Sequence, residues 1–410
     1  MTENDVRKIL RESDDLALRE AAWKGSKALG GVVASRVLEL VNTRNEVARS
    51  LGYRDHYIMS MELSELNEER VFDIFDVLAK QTDPMWREWK ADFDKRQSER
   101  FGISVEELRP WHCPDQFFQV APPSDLDLDT YFANKNLEEL TTRFYTAIGL
   151  PIDDVLKRSD LYEKPGKNQH AFCTDIDHEG DVRVLCNVRS TENWMCTMLH
   201  EFGHAVYDLY ADYQLPHFLR GPAHTLSTEA IAELMGRFSK DGDWLRTYAG
   251  VSAEEVARVA EISAEENRVQ LLVMTRWVLV MCHFEREMYR DPSQDLNSLW
   301  WDMVEKYQGV HRPDNRNEPD WASKLHLALA PVYYQNYLLG EMFASQLLRY
   351  LRTKVVNGDA PDALVTSPKV GQWLREKIFE PGSTRSWEDG LAFATGERLN
   401  PAYFAEQLRR

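Results

Sequence analysis

The sequence predicts a mostly α-helical chain with one small β-hairpin. Three observations carry this. Glycine (20) and proline (17) are few for 410 residues, so the many tight turns of a sandwich or barrel are missing. Long stretches place apolar residues three and four apart, the period of a helix face. One segment, 167–187, breaks that pattern with two short β-prone runs around the turn signal "DHEGD".

Taken in order, residues 14–51 read as one or two amphipathic helices, with Gly30 and Gly31 marking a break. Residues 66–100 form another, and 127–148 a further one. The hairpin follows, and helical pattern resumes near Thr191. Residues 253–289 give a long helix that opens on the capping-box pattern "SAEE". Two more helices span 294–307 and 331–353, with Pro331 in the first turn of the second. No repeat or linker divides the chain, so 1–410 is read as one domain, two helical halves around a deep cleft.

Hydrophobic residues make up 43% of the chain, enough for a large core. With 49 basic and 67 acidic residues the net charge is −18, which argues against nucleic acid as a partner, because phosphate binding needs a basic surface. The most apolar run, 271–282, is too short for a membrane span and is interrupted by Arg276. Met1 to Arg11 lacks an apolar stretch, so no secretory leader is expected. The five cysteines are odd in number and show no C-x-x-C spacing, which points to a reducing cytoplasm.

The sharpest feature is "TMLHEFGHAVYD". His200 and His204 are four apart on a predicted helix, so they project from one face and can share one Zn²⁺. Glu201 lies beside them as the candidate base for an attacking water. Two histidines and a glutamate on an otherwise apolar helix are costly unless a ligand satisfies them. Such a site needs a third protein ligand. Glu229, in "HTLSTEAIAELMGR", is the first candidate, with Glu233 one turn later able to orient a histidine. His224, in the preceding Gly-Pro loop, competes for the same role or contacts substrate.

Farther on, "SKLHLALAPVYYQNYLLGEMF" carries Lys324, His326, Tyr333, Tyr334 and Tyr337. On a helix Tyr337 faces the same way as either earlier tyrosine. A phenol or imidazole donor can stabilise the oxyanion of a tetrahedral intermediate. Tyr337 and His326 are the candidate donors, and Lys324 a candidate partner for a substrate carboxylate.

These segments, with "AAWKGSKALGGVVASRVLELVNTRNEVARSLGY", "LYEKPGKNQHAF", "LPHFLR" and "WWDMVEKYQGV", resemble in the same order the angiotensin-converting-enzyme family of gluzincin zinc peptidases. More distantly they resemble thimet oligopeptidase and oligopeptidase F. The resemblance implies a zinc-dependent metallopeptidase that releases C-terminal dipeptides from oligopeptides. Alternatives are an endo-acting oligopeptidase, carboxypeptidase Taq-like cleavage, and a non-catalytic or partner-dependent peptide-binding relative. It implies one zinc ion on His200, His204 and Glu229, Glu201 as base, and His326 and Tyr337 at the transition state. Lys324 and Tyr334 would hold the peptide carboxylate, and His170 and Ala171 would lie on a substrate-side strand.

Departures from the family pattern matter. The spacing from His204 to Glu229 is one residue longer, as in the thimet type. One extra residue also precedes the tyrosines, so Tyr333 and Tyr334 can exchange roles. Asn336 stands where the family has an arginine, which argues against chloride dependence. Gln169 stands where the family pairs a cysteine with Cys186. The glutamine that the resemblance sets beside the lysine has no assigned position, Gln116 being one candidate. The family's N-terminal lid helices are expected to be lacking, and the surface this would expose favours a homo-oligomer.

Overall fold

The computed structural model describes residues 3–122, 127–168 and 170–409, so Gln169 lies outside the described residues. About two thirds of the chain is helical, and the only sheet among the described residues is a two-stranded antiparallel hairpin. The helices in chain order are α1 (Glu3–Glu12), α2 (Leu16–Ser50), α3 (His56–Leu63), α4 (Glu68–Phe101), α5 (Asp129–Phe132), α6 (Leu137–Ala147) and α7 (Asp153–Arg158). After strands β1 (Phe172–Asp175) and β2 (Val182–Leu185) come α8 (Glu192–Leu209), α9 (Thr225–Gly236), α10 (Gly242–Trp244) and α11 (Ala253–Arg290). The series ends with α12 (Leu296–Gln308), α13 (His326–Leu329), α14 (Gln335–Tyr350), α15 (Ala363–Thr366), α16 (Pro368–Leu374), α17 (Trp387–Thr395) and α18 (Ala402–Gln407).

Side-chain caps start the long helices. Asp15 accepts the Leu18 N–H, Asn67 the Arg70 N–H, and Thr191 the Trp194 N–H. Ser252 caps α11 by accepting from the Glu255 N–H, and its hydroxyl donates back to the Glu255 carboxylate. Gly102 and Gly309 end α4 and α12 with φ of 65° and 62°, where a Cβ would be strained.

Four expectations are corrected. The helix over 14–51 does not break at Gly30 and Gly31. A Cβ at Gly30 would stand 2.2 Å from the Pro319 carbonyl oxygen, so this glycine permits a close approach to the turn at Asp320–Ser323. The segment 127–148 is two helices, because Asn134 takes φ 65° and Asn136 then caps α6. The helix over 331–353 begins only at Gln335, since Val332 has φ 54°, and Tyr333 and Tyr334 precede it. His170 and Ala171 likewise sit just before β1, not on it.

The chain forms two compact units. One comprises Met1–Ser124, Glu266–Leu338 and Ala405–Arg410, and its core is aromatic, built on Trp23, Phe75, Trp86, Trp277, Phe284 and Trp321. Trp89, Phe93 and Phe118 stack there at ring separations of 5.2–6.2 Å. The other comprises Asp125–Glu265 and Leu339–Phe404. Its core gathers Phe144, Tyr145, Val182, Met198, Phe202, Ile231 and Trp244 around α8. The hairpin pairs Phe172 with Leu185 and Asp175 with Val182, and it packs on α8. No helix among the described residues is long and apolar enough to cross a membrane.

Candidate active site

Helices α8 and α9 pack closely, and one tight backbone approach between them lies inside the His-Glu motif. A Cβ on Gly203 would fall 2.8 Å from Ala232 Cα. This backbone-to-backbone approach brings Glu229 of α9 to His200 and His204 of α8. Glu229 Oε2 lies 3.8 Å from Nε2 of both histidines, and the three donor atoms sit within 4.8 Å of one another. Tetrahedral zinc with bonds of about 2.0–2.1 Å would hold its donors about 3.3 Å apart, so Glu229 has to close on each histidine by about half an ångström to share the ion.

The surroundings suit that donor set. Burial lowers the pKa of His200, and burial with the His200 charge pushes His204 down to about 3, so both imidazoles are neutral and able to coordinate. The His204 Nδ1 is 2.7 Å from Thr228 Oγ1, a contact that fixes the ring with Nε2 toward Glu229. Glu233 faces His200 Nδ1 at 3.8 Å, too far for a hydrogen bond. Burial, then the Glu233 charge, pushes the Glu229 carboxyl up to about 7. His224 is the N-cap of α9, where its Nδ1 accepts the Leu226 N–H at 3.0 Å, and it is outside the donor cluster.

Glu201 is buried beside the cluster, and burial followed by the Glu229 charge pushes its carboxyl up to about 7. A carboxyl poised there can both take and return a proton near neutral pH. An open pocket of about 990 Å³ joins His200, Glu201, His204 and Glu229 to Ala171, Phe172, Cys173 and Asp208. His170 is exposed, and its N–H donates to Asn168. All five cysteines are free thiols.

The remaining predicted residues gather in the other unit. Lys324 Nζ donates to Gln119 Oε1 at 2.8 Å and lies 5.1–5.5 Å from the ring centres of Phe117, Trp277 and Tyr334. Trp277 donates to the Tyr334 hydroxyl at 3.1 Å. Tyr337 packs against both Tyr333 and Tyr334, with ring centres 5.3 and 5.4 Å away, although only Tyr337 is helical. The His326 and Tyr334 rings are 4.9 Å apart. The His326 Nδ1 is buried with no hydrogen-bond partner, and burial with the Lys324 charge pushes this histidine down to about 4.

Gln119 was not foreseen. It follows a loop whose N–H groups at 117, 119 and 120 donate to the buried carboxylate of Asp115. The pattern "DQFFQV" carries the Asp and two glutamines, but nothing in its spacing points to a lysine 205 positions away. Gln116 instead offers its backbone carbonyl to Trp23 Nε1.

Residues 124–403 match the family model described as angiotensin-converting enzyme, peptidase M2. The chain is 23% identical to an angiotensin-converting enzyme of Theromyzon tessulatum over 96% of its own length and 68% of the relative's. It is 23% identical to that of Rattus norvegicus, again over 96% of this chain but only 32% of the relative. It is also 22% identical to thermostable carboxypeptidase 1 of Pyrococcus furiosus, over 58% of this chain and 52% of that enzyme. The chain thus spans between a third and about two thirds of the length of these relatives.

Proposed function

Since the chain belongs to the angiotensin-converting-enzyme family of peptidases, we propose that it is a zinc-dependent peptidase that removes dipeptides from the C-termini of oligopeptides. The observation that carries this reading is the His200–His204–Glu229 cluster, its imidazoles neutral, beside a buried Glu201 whose carboxyl titrates near neutrality. His200, His204 and Glu229 hold the metal, which when bound supplies Lewis acidity at the scissile carbonyl. Glu201 accepts the proton of the attacking water and delivers it to the leaving amine. Tyr337 and His326 donate to the developing oxyanion, the latter as a neutral imidazole. Lys324, positioned by Gln119, and Tyr334 take the terminal carboxylate of the peptide. Ala171 borders the bound backbone.

Likeness to a carboxypeptidase over 58% of the chain favours a second reading, release of single C-terminal residues. One digestion separates the two. The zinc-loaded protein is given an octapeptide with a free C-terminus and the same peptide amidated, and products are weighed by mass spectrometry. A dipeptide from the free form, with the amide cut poorly, is expected. A single residue as first product supports the second reading, and equal internal cleavage of both peptides overturns each.

A further inference from the structure

The pocket around the His-Glu cluster contains one acid that the reaction above does not use. Asp208 lies four residues after His204 in the last turn of α8, on the same helix face, and lines the pocket with His200, His204 and Glu229. Beyond the His-Glu cluster the wall is mixed, with Ala171, Phe172 and Pro222 beside His224, Thr225 and Thr228. Among the described residues the Asp208 carboxylate has no hydrogen bond or ion pair. The side chains that act on it electrostatically are those of Asp175 on β1 and His178 in the hairpin turn. The Tyr213 hydroxyl donates to the backbone oxygen of Asp208 at 2.9 Å and approaches Asp175 Oδ2 at 3.4 Å, leaving the Asp208 carboxylate unserved. Asp175 Oδ1 is itself buried without a partner.

A half-buried carboxylate near a second one is relieved either by taking a proton or by meeting a cation. The metal would compensate Glu229 and Glu201, not a side chain a helical turn farther along. We propose that Asp208, with Asp175 behind it, forms a subsite that selects peptides carrying a lysine or arginine side chain next to the reacting residues. A guanidinium or ammonium there gains a charge-assisted hydrogen bond that no neutral side chain can make. This inference rests on the peptide-cleaving reading of the site.

The test uses binding, so that it does not depend on turnover. The zinc-loaded Glu201→Gln protein is titrated with hexapeptides in which each position in turn is arginine or its uncharged isostere citrulline. At one position arginine should bind about tenfold more tightly, and adding Asp208→Asn should bring that ratio to about one. Zinc content and melting temperature check that the variant is folded. The arginine–citrulline comparison stands without any Asp208 variant. Ratios near one at every position, or a preference that survives Asp208→Asn, overturn the subsite. If peptides bind with the arginine preference yet the unmutated chain cleaves none, the peptidase reading fails while the subsite stands.

Discussion

Glu285 illustrates what a single buried side chain contributes away from the reaction. It lies on α11, 2% exposed, and accepts the N–H of Val332 at 2.8 Å. That bond holds the left-handed Val332, an unusual conformation for a β-branched residue, and so sets where Tyr334 and Tyr337 emerge. Burial pushes the Glu285 carboxyl up to about 8, against the Val332 hydrogen bond and the Arg44 charge, which both favour ionisation. The sign follows directly. The unfolded chain releases this proton near pH 4.5 and the folded chain keeps it to about 8, so stability falls as pH rises across that window. Glu285→Gln keeps the acceptor and removes the titration. Urea unfolding at pH 5 and pH 8.5 should show the unmutated protein losing on the order of a few kcal/mol relative to the variant. Parallel pH profiles would sink the argument. None of this was visible in the sequence, where Glu285 is one acid among 67, whereas the role of His200 and His204 was legible because four-residue spacing on one helix is local geometry.

At the scale of elements, the α8–α9 pair decides whether a metal fits. Gly203→Ala would gain helix propensity of about 1 kcal/mol. It would also drive a methyl group into the backbone of Ala232 and the Ile231 carbonyl, 2.8 and 3.3 Å away. Backbone cannot swing aside as a side chain can, so overpacking wins, at about 1–3 kcal/mol. The helices separate, and Glu229 withdraws from the histidines. Zinc affinity measured by chelator competition should fall at least tenfold, and an unchanged affinity would refute the spacing argument. The elements that periodicity misread share one cause. The break at Gly30, the single helix over 127–148 and the early start at Pro331 were each decided by a distant partner or a left-handed residue: Pro319 against Gly30, Asn134, and Glu285 behind Val332. A window of neighbouring residues holds neither Pro319 nor Glu285, and it holds Asn134 without showing that its backbone turns left-handed.

For the molecule as a whole, the three candidate ligands belong to one compact unit and span only residues 200–229. Zinc that binds the folded form alone stabilises it by mass action, about 2.7 kcal/mol at one hundred times Kd. Hydrogen exchange with and without zinc should therefore show added protection across α8 and α9. Identical exchange in both states would show that the ion does not bind there. The hairpin, the two helices and the order of the later helices were readable because each has a local period, while the pairing of Lys324 with Gln119 needed the folded chain.

The contact at Gly203 also bears on inheritance and transfer. Five residues reading H-E-x-x-H are not a portable cassette here, because the fourth position must be small and Ala232 must sit opposite it. What would have to be transplanted into another scaffold, and what a lineage must keep together, is a matched pair of helices.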